Sequence, residues 1–195
     1  SRYTIEQGLS GLQYAIGIPG TLGGAVVSNA AAHGGSLHKV LRSATVLCDG
    51  KTVREFGVQD LGLGYRISVF KDRRRPKDVI LSVELELEIS DRAAVEAEAQ
   101  AILARRAARL PTEPSAGSTF VNPPGRPVAD LIEQAGLKGR RIGGAQVSPR
   151  HANFLVNTGT ATAQDVRALM ELVRDEVRRQ FGIELTLEIE MVGDW

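Results

Sequence analysis

Residues 79–89 read VILSVELELEI, and the organisation of the chain follows from them. Val79, Leu81, Val83, Leu85, Leu87 and Ile89 alternate with Ser82, Glu84, Glu86 and Glu88, with Ile80 the one exception. A period of two over this length predicts a long strand with one dry face and one wet face. Asp91 follows as a helix cap, and the alanine-, glutamate- and arginine-rich run after it predicts a helix to about Arg109. Leu110–Pro114 (LPTEP) then breaks the pattern with two prolines and is the best internal boundary.

Upstream of the strand the chain is rich in glycine and alanine: GLQYAIGIPGTLGGAVVSNAAAHGG. Ser10–Gly17 reads as a short helix capped by Ser10, broken by Pro19, with a second short helix beginning near Thr21. Ala44–Cys48 and Thr52–Phe56 are β-like and are joined by Asp49-Gly50, a hairpin signal. Downstream of the boundary, Val128–Ala135 reads as a helix closed by Gly136, and IGGAQVSPRHANFLVN is β-like. Thr162 with Asp165 forms a capping-box pattern ahead of the helical stripe Val166, Leu169, Met170, Val173 and Val177. Ile183–Val192 alternates as a final strand, with Ile183, Leu185, Leu187, Ile189 and Met191 on one face and Glu184, Thr186, Glu188 and Glu190 on the other. This order points to an α+β fold with mostly antiparallel pairing, divided into 1–110 and 111–195.

Composition excludes several function classes. A net charge of +1 and 5% aromatic residues offer no electrostatic or stacking case for a nucleic-acid partner. Cys48 is the single cysteine, so no internal disulfide or cysteine-built zinc site is expected. His33, His38 and His151 lack metal-ligand spacing. No apolar run approaches the length of a membrane span and no signal peptide opens the chain, which predicts a cytoplasmic protein. The chain starts SRYTIEQGLSG, without methionine, as if an earlier part had been removed by processing or truncation.

Candidate chemistry sits at a few places. Gly17, Gly20, Gly23 and Gly24 in IPGTLGGAVVSNAA would let backbone N–H groups approach a pyrophosphate, with a helix N-terminus beside them. A tight turn with close helix packing is the plainer reading, and the segment is not a G-x-G-x-x-G fingerprint. Tyr65-Arg66 places an arginine after a short turn, suited to a carboxylate or a developing anion, or simply to the surface. The Arg73–Arg75 run reads as a solvated loop before a phosphate site. Ser118, within PSAGSTFVNPPG, has no G-x-S-x-G elbow and no nearby histidine, so a hydrolase nucleophile is poorly supported; a serine can also donate a proton, given a neighbour that helps, but a structural turn serine is the plainer reading. Glu188 lies on a polar strand face that either lines a cleft or is solvated. His151-Ala152-Asn153 could form a ligand site, though a satisfied structural histidine is the plainer reading.

Taken together, GIPGTLGGAVVSNAAAHG, GYRIS, PSAGSTFVNP, AGLKGRRIGGAQVSPRHANFLVN and FGIELTLEIEMVG, in this order, resemble the MurB family, the UDP-N-acetylenolpyruvoylglucosamine reductases of bacterial cell-wall synthesis. The resemblance runs over nearly all of the chain. It implies a second flavin-binding lobe of the MurB and vanillyl-alcohol-oxidase type at 1–110 and a small α/β substrate-binding domain at 111–195. It further implies FAD, NADPH as the hydride source, and reduction of a UDP-sugar enolpyruvyl ether to the UDP-N-acetylmuramate lactyl ether, a step serving peptidoglycan, cell shape and division. Under it, Ile18, Pro19, Gly20, Thr21, Gly23, Gly24, Ala25 and Asn29 would contact the flavin nucleotide. Arg66, Ser118 and Glu188 would be catalytic, and Tyr65 and Asn122 would bind substrate. No metal is implied.

Two features depart from the family pattern. Val121 stands where the family often has lysine, which removes a charge contact, and nothing corresponds to the family's N-terminal α/β domain. The interval from Arg66 to Ser118 is short, as in the subtype without an extra substrate-covering loop. A catalytically silent sugar-nucleotide-binding fragment is therefore the alternative expectation.

Overall fold

The computed structural model describes residues 1–71 and 77–193, so the Arg73–Arg75 run lies outside the described residues. The chain forms two compact units, Ser1–Arg106 and Ala107–Trp195. Every strand ladder among the described residues is antiparallel, and the fold is mixed α and β.

The first unit runs α1 (Arg2–Glu6), β1 (Leu9–Ser10), α2 (Leu22–Val27), β2 (Ala31–Ala32), β3 (Gly35–Ser36), β4 (Leu41–Cys48), β5 (Thr52–Gly57), β6 (Val79–Leu85), β7 (Glu88–Ile89) and all but the last three residues of α3 (Arg92–Arg109). Its centre is the three-stranded sheet β5-β4-β6, with two smaller ladders, β1-β7 and β2-β3. The β4–β5 hairpin turns where expected: Asp49 and Gly50 have φ of 51° and 69°, and Lys51 N–H donates to Cys48 O at 2.9 Å. Val26, Leu37, Ala44, Val46 and Leu61 form a fully buried core against the sheet. On α3, Val95, Ala99 and Ile102 follow helical spacing and pack with Ile5 and Ile16.

Two local expectations change here. Residues 79–89 are not one strand: β6 ends at Leu85 and β7 pairs elsewhere, with β1. Within β6, Ile80 pairs with Val46 and Ser82 with Thr45, so Leu81 is the extra residue of a bulge. The bulge reverses the phase of the strand. Ile80 packs on the core with Val83 and Leu85, whereas Val79 and Leu81 are each 52% exposed. The helix expected at Ser10–Gly17 is also absent; Ser10 belongs to β1 and only Gln13–Ala15 form a 3₁₀ turn. Gly11 has φ 127°, and Gln13 Oε1 takes its N–H at 2.6 Å while Gln13 Nε2 donates to Ser10 Oγ. The side chains of Ser10 and Gln13 thus stabilise a turn in place of the helix.

The second unit runs β8 (Ser115–Ser118), α4 (Val128–Gln134), β9 (Arg141–Ile142), β10 (Ala145–Val147), β11 (Phe154–Asn157) and α5 (Ala163–Phe181), with sheet order β8-β11-β10-β9. Phe120, Val128, Leu131, Ile132, Leu169, Val173 and Val177 build its core. The capping box at α5 is formed: Asp165 N–H donates to Thr162 Oγ1 at 3.1 Å, and Thr162 N–H to Asp165 Oδ2 at 3.0 Å. Gly182 closes α5 with φ 67°. Gly143 and Gly144 have a packing reason, since a Cβ at Gly143 would collide with the Asp165 carboxyl and one at Gly144 with the backbone of Thr160 and Ala161.

The final strand is corrected to an extended segment. It pairs through the single bridge Phe120–Leu187, and no residue of 183–192 joins the four-stranded sheet. Its alternation survives, for Ile183, Leu185, Leu187 and Ile189 all pack on the core.

Candidate active site

In the first unit the glycine-rich loop lines a cavity of about 390 Å³. Ile18, Pro19, Gly20, Thr21, Gly24 and Ala25 contribute to it, together with Leu12, Tyr14 and Ser28. Gly20 has φ 126° and open space where a Cβ would stand, which leaves its backbone approachable. Part of the local donor capacity is already spent: Thr21 Oγ1 accepts from Gly24 N–H at 3.1 Å, and Thr21 O from Ala25 N–H. Gly23 and Asn29 lie apart from the lining. Gly23 faces Ile80, and Asn29 is buried, donating through Nδ2 to Gly64 O and accepting His38 N–H at Oδ1. Burial pushes the phenol of Tyr14, a residue of this lining, up to about 12. The sequence reading missed Tyr14 and Ser28, which sit in apolar or small-residue surroundings with no polar spacing to mark them.

Tyr65 and Arg66 form the tip of a tight turn in the same unit. Gly64 and Ile67 exchange backbone hydrogen bonds of 3.0 and 3.2 Å beneath it. Arg66 adopts φ 60°, unusual for a side-chain-bearing residue, and its guanidinium lies 5.6 Å from the centre of the Tyr65 ring. Tyr65 is exposed and Arg66 half-buried. Ser68 supports the turn from behind: fully buried, it donates to Val27 O at 2.6 Å and accepts the N–H groups of Phe70 and Lys71.

In the second unit, Ser118 ends β8 directly after Gly117, whose φ is 86°. Ser118 pairs with Phe154 and Ser115 with Val156, so β8 carries a bulge at Ala116–Gly117 that re-aims the serine. Thr119 O accepts Glu188 N–H at 2.9 Å, which brings Ser118 and Glu188 onto neighbouring segments, one residue out of register; both are half-buried. Asn122 Oδ1 accepts Val128 N–H at 2.9 Å and so satisfies the first turn of α4, while its side chain remains exposed. His151 is held below its ordinary value by burial, with Arg109 and Lys138 adding to that. Its Nδ1 accepts Asn153 N–H and its ring meets Phe154 edge-on at 5.0 Å, a structural placement. Among the described residues no group of histidine, cysteine and carboxylate side chains is placed to hold a metal ion, and no helix is long and apolar enough to cross a membrane.

Residues 109–192 match the family model for the UDP-N-acetylenolpyruvoylglucosamine reductase C-terminal domain. The chain belongs to this family. It is 46% identical over its full length to the UDP-N-acetylenolpyruvoylglucosamine reductase of Heliobacterium modesticaldum, covering 62% of that protein. It is equally identical to the enzyme so named from Alkalilimnicola ehrlichii, covering 64% of it. The crystal structure of the Thermus caldophilus reductase (MurB) superposes with a TM-score of 0.85 at 34% identity, over 97% of this chain and 66% of that one. The chain thus spans a little under two thirds of the MurB proteins it matches.

Proposed function

We propose that the chain carries the second flavin-binding lobe (1–110) and the substrate-binding domain (111–195) of a cytoplasmic, FAD- and NADPH-dependent reductase. Its substrate would be UDP-N-acetylglucosamine enolpyruvate and its product UDP-N-acetylmuramate, made for peptidoglycan synthesis. The observation that carries this reading is the cavity formed by Ile18–Thr21, Gly24 and Ala25, the loop that the family resemblance assigns to the flavin. Its apolar walls and open glycine backbone suit one flank of a flavin nucleotide. Because the chain spans about 62% of its relatives' length, full activity is proposed to need the remaining length of the family protein.

Bound FAD, once reduced by NADPH, would supply hydride to the terminal alkene carbon of the enol ether. Arg66, held at the turn tip, would stabilise the negative charge left at the carbon beside the substrate carboxylate, an effect worth several kcal/mol in a preorganised site. Ser118 would then deliver its proton to that carbon. Glu188 would act as its carboxyl partner, passing a proton to the serine oxygen as the hydroxyl gives up its own. The small residues around Ser118 leave room for a carbon to approach within about 3–3.5 Å. Tyr65 and Asn122 would contact the substrate, Asn122 on its nucleotide side.

An absorption spectrum of the chain after incubation with FAD and desalting tests the assignment. A retained flavin band supports the lobe. A folded chain that retains no flavin yet binds a UDP-sugar tightly would mark it as a sugar-nucleotide-binding piece.

A further inference from the structure

Asn153 has a side chain that the proposed chemistry leaves unused. It is 4% exposed, and its Nδ2 donates to Phe120 O at 2.8 Å while its Oδ1 accepts Phe120 N–H at 2.9 Å. Its own carbonyl accepts Thr119 N–H at 2.8 Å. Three hydrogen bonds from one residue therefore hold residues 119 and 120. A carboxamide presents the same donor and acceptor as a peptide group, so this side chain replaces a strand neighbour where the β8–β11 ladder stops at Ser118 and Phe154.

Residues 119–121 are also held by the C-terminal segment. Glu188 N–H donates to Thr119 O and Val121 N–H to Thr186 O, both at 2.9 Å, around the Phe120–Leu187 bridge. The two residues that follow Ser118 are thus clasped between Asn153 and the segment bearing Glu188. Other side chains fit the place poorly: aspartate would oppose its second oxygen to Phe120 O, and serine cannot bridge both groups.

We propose that Asn153 is a positioning residue, which locks the backbone joining Ser118 to the Glu188 segment and so keeps hydroxyl and carboxylate in fixed relation. The proposal rests on the reading of Ser118 and Glu188 given above. Two readouts test it, with Asn153→Ala and the near-isosteric Asn153→Asp as a pair in case the alanine variant fails to fold. In the 195-residue chain, amide exchange at Glu188 is expected to accelerate about tenfold or more, with Val173 and Val177 on α5 unchanged. Unchanged protection at Glu188 would overturn the coupling, whatever reaction the protein performs.

In the reductase of full family length, Asn153→Asp is expected to slow reduction of the enolpyruvyl sugar nucleotide about 100-fold. NADPH-driven flavin reduction and UDP-sugar affinity should stay within about threefold. Loss of all three together would make Asn153 a folding residue and overturn the proposal. A parent protein that never reduces the enol ether, but whose Glu188 protection depends on Asn153, would sink the functional reading and leave the clasp standing.

Discussion

The carboxamide of Asn29 donates to the carbonyl oxygen of Gly64 at 2.8 Å and so fastens the residues after α2 to the turn that carries Arg66. Asn29 itself has φ 41°, and Arg66, two residues beyond the bonded Gly64, has φ 60°. Asn29→Asp tolerates that backbone but removes the donor. It is expected to cost about 1–3 kcal/mol in denaturant unfolding and to deprotect the Ile67 amide. Unchanged stability would mean that the turn holds itself.

Gly144 lies against the backbone of Thr160 and Ala161, which cannot move aside as a flexible side chain would. Gly144→Ala should destabilise the chain by about 1–3 kcal/mol or more, seen as a lower denaturation midpoint with an unchanged slope.

Asp165 accepts N–H groups from Thr162 and Gly144, and these bonds hold its carboxyl below the usual carboxylate range. A depressed folded value contributes stability that is present above the unfolded value of about 3.9 and is lost as pH falls through the folded one. Asp165→Asn should therefore flatten the acid limb of the stability–pH curve while changing little of its shape between neutral pH and about 5. An identical acid limb in the two proteins would remove Asp165 from that role.

Local signals with one dominant physical cause were legible in the residues. The Thr162–Asp165 box, the Gly182 stop, the Asp49-Gly50 turn and the α5 stripe each depend on neighbours a few positions away, and each is found. What escaped depended on distant partners. Periodicity alone could not reveal the bulge at Leu81, because it arises in pairing with β4; nor that the backbone of Ile183–Val192 would bond to residues 119–121 and stay out of the four-stranded sheet. The open backbone of the glycine loop, which lines a cavity, was readable from its small residues. The roles of Ser68 and Asn153 were not, since the groups their side chains donate to lie 41 and 33 residues away along the chain.

The central claim is that Ser118 donates the proton to the substrate carbon and takes no part in reducing the flavin. Stopped-flow spectroscopy of Ser118→Ala in the reductase of full family length follows the two half-reactions separately. Flavin reduction by NADPH should stay within about threefold of the parent, while flavin oxidation by the enolpyruvyl sugar nucleotide should slow by about 10²–10⁴. Equal losses in both half-reactions, or none in the second, would contradict it.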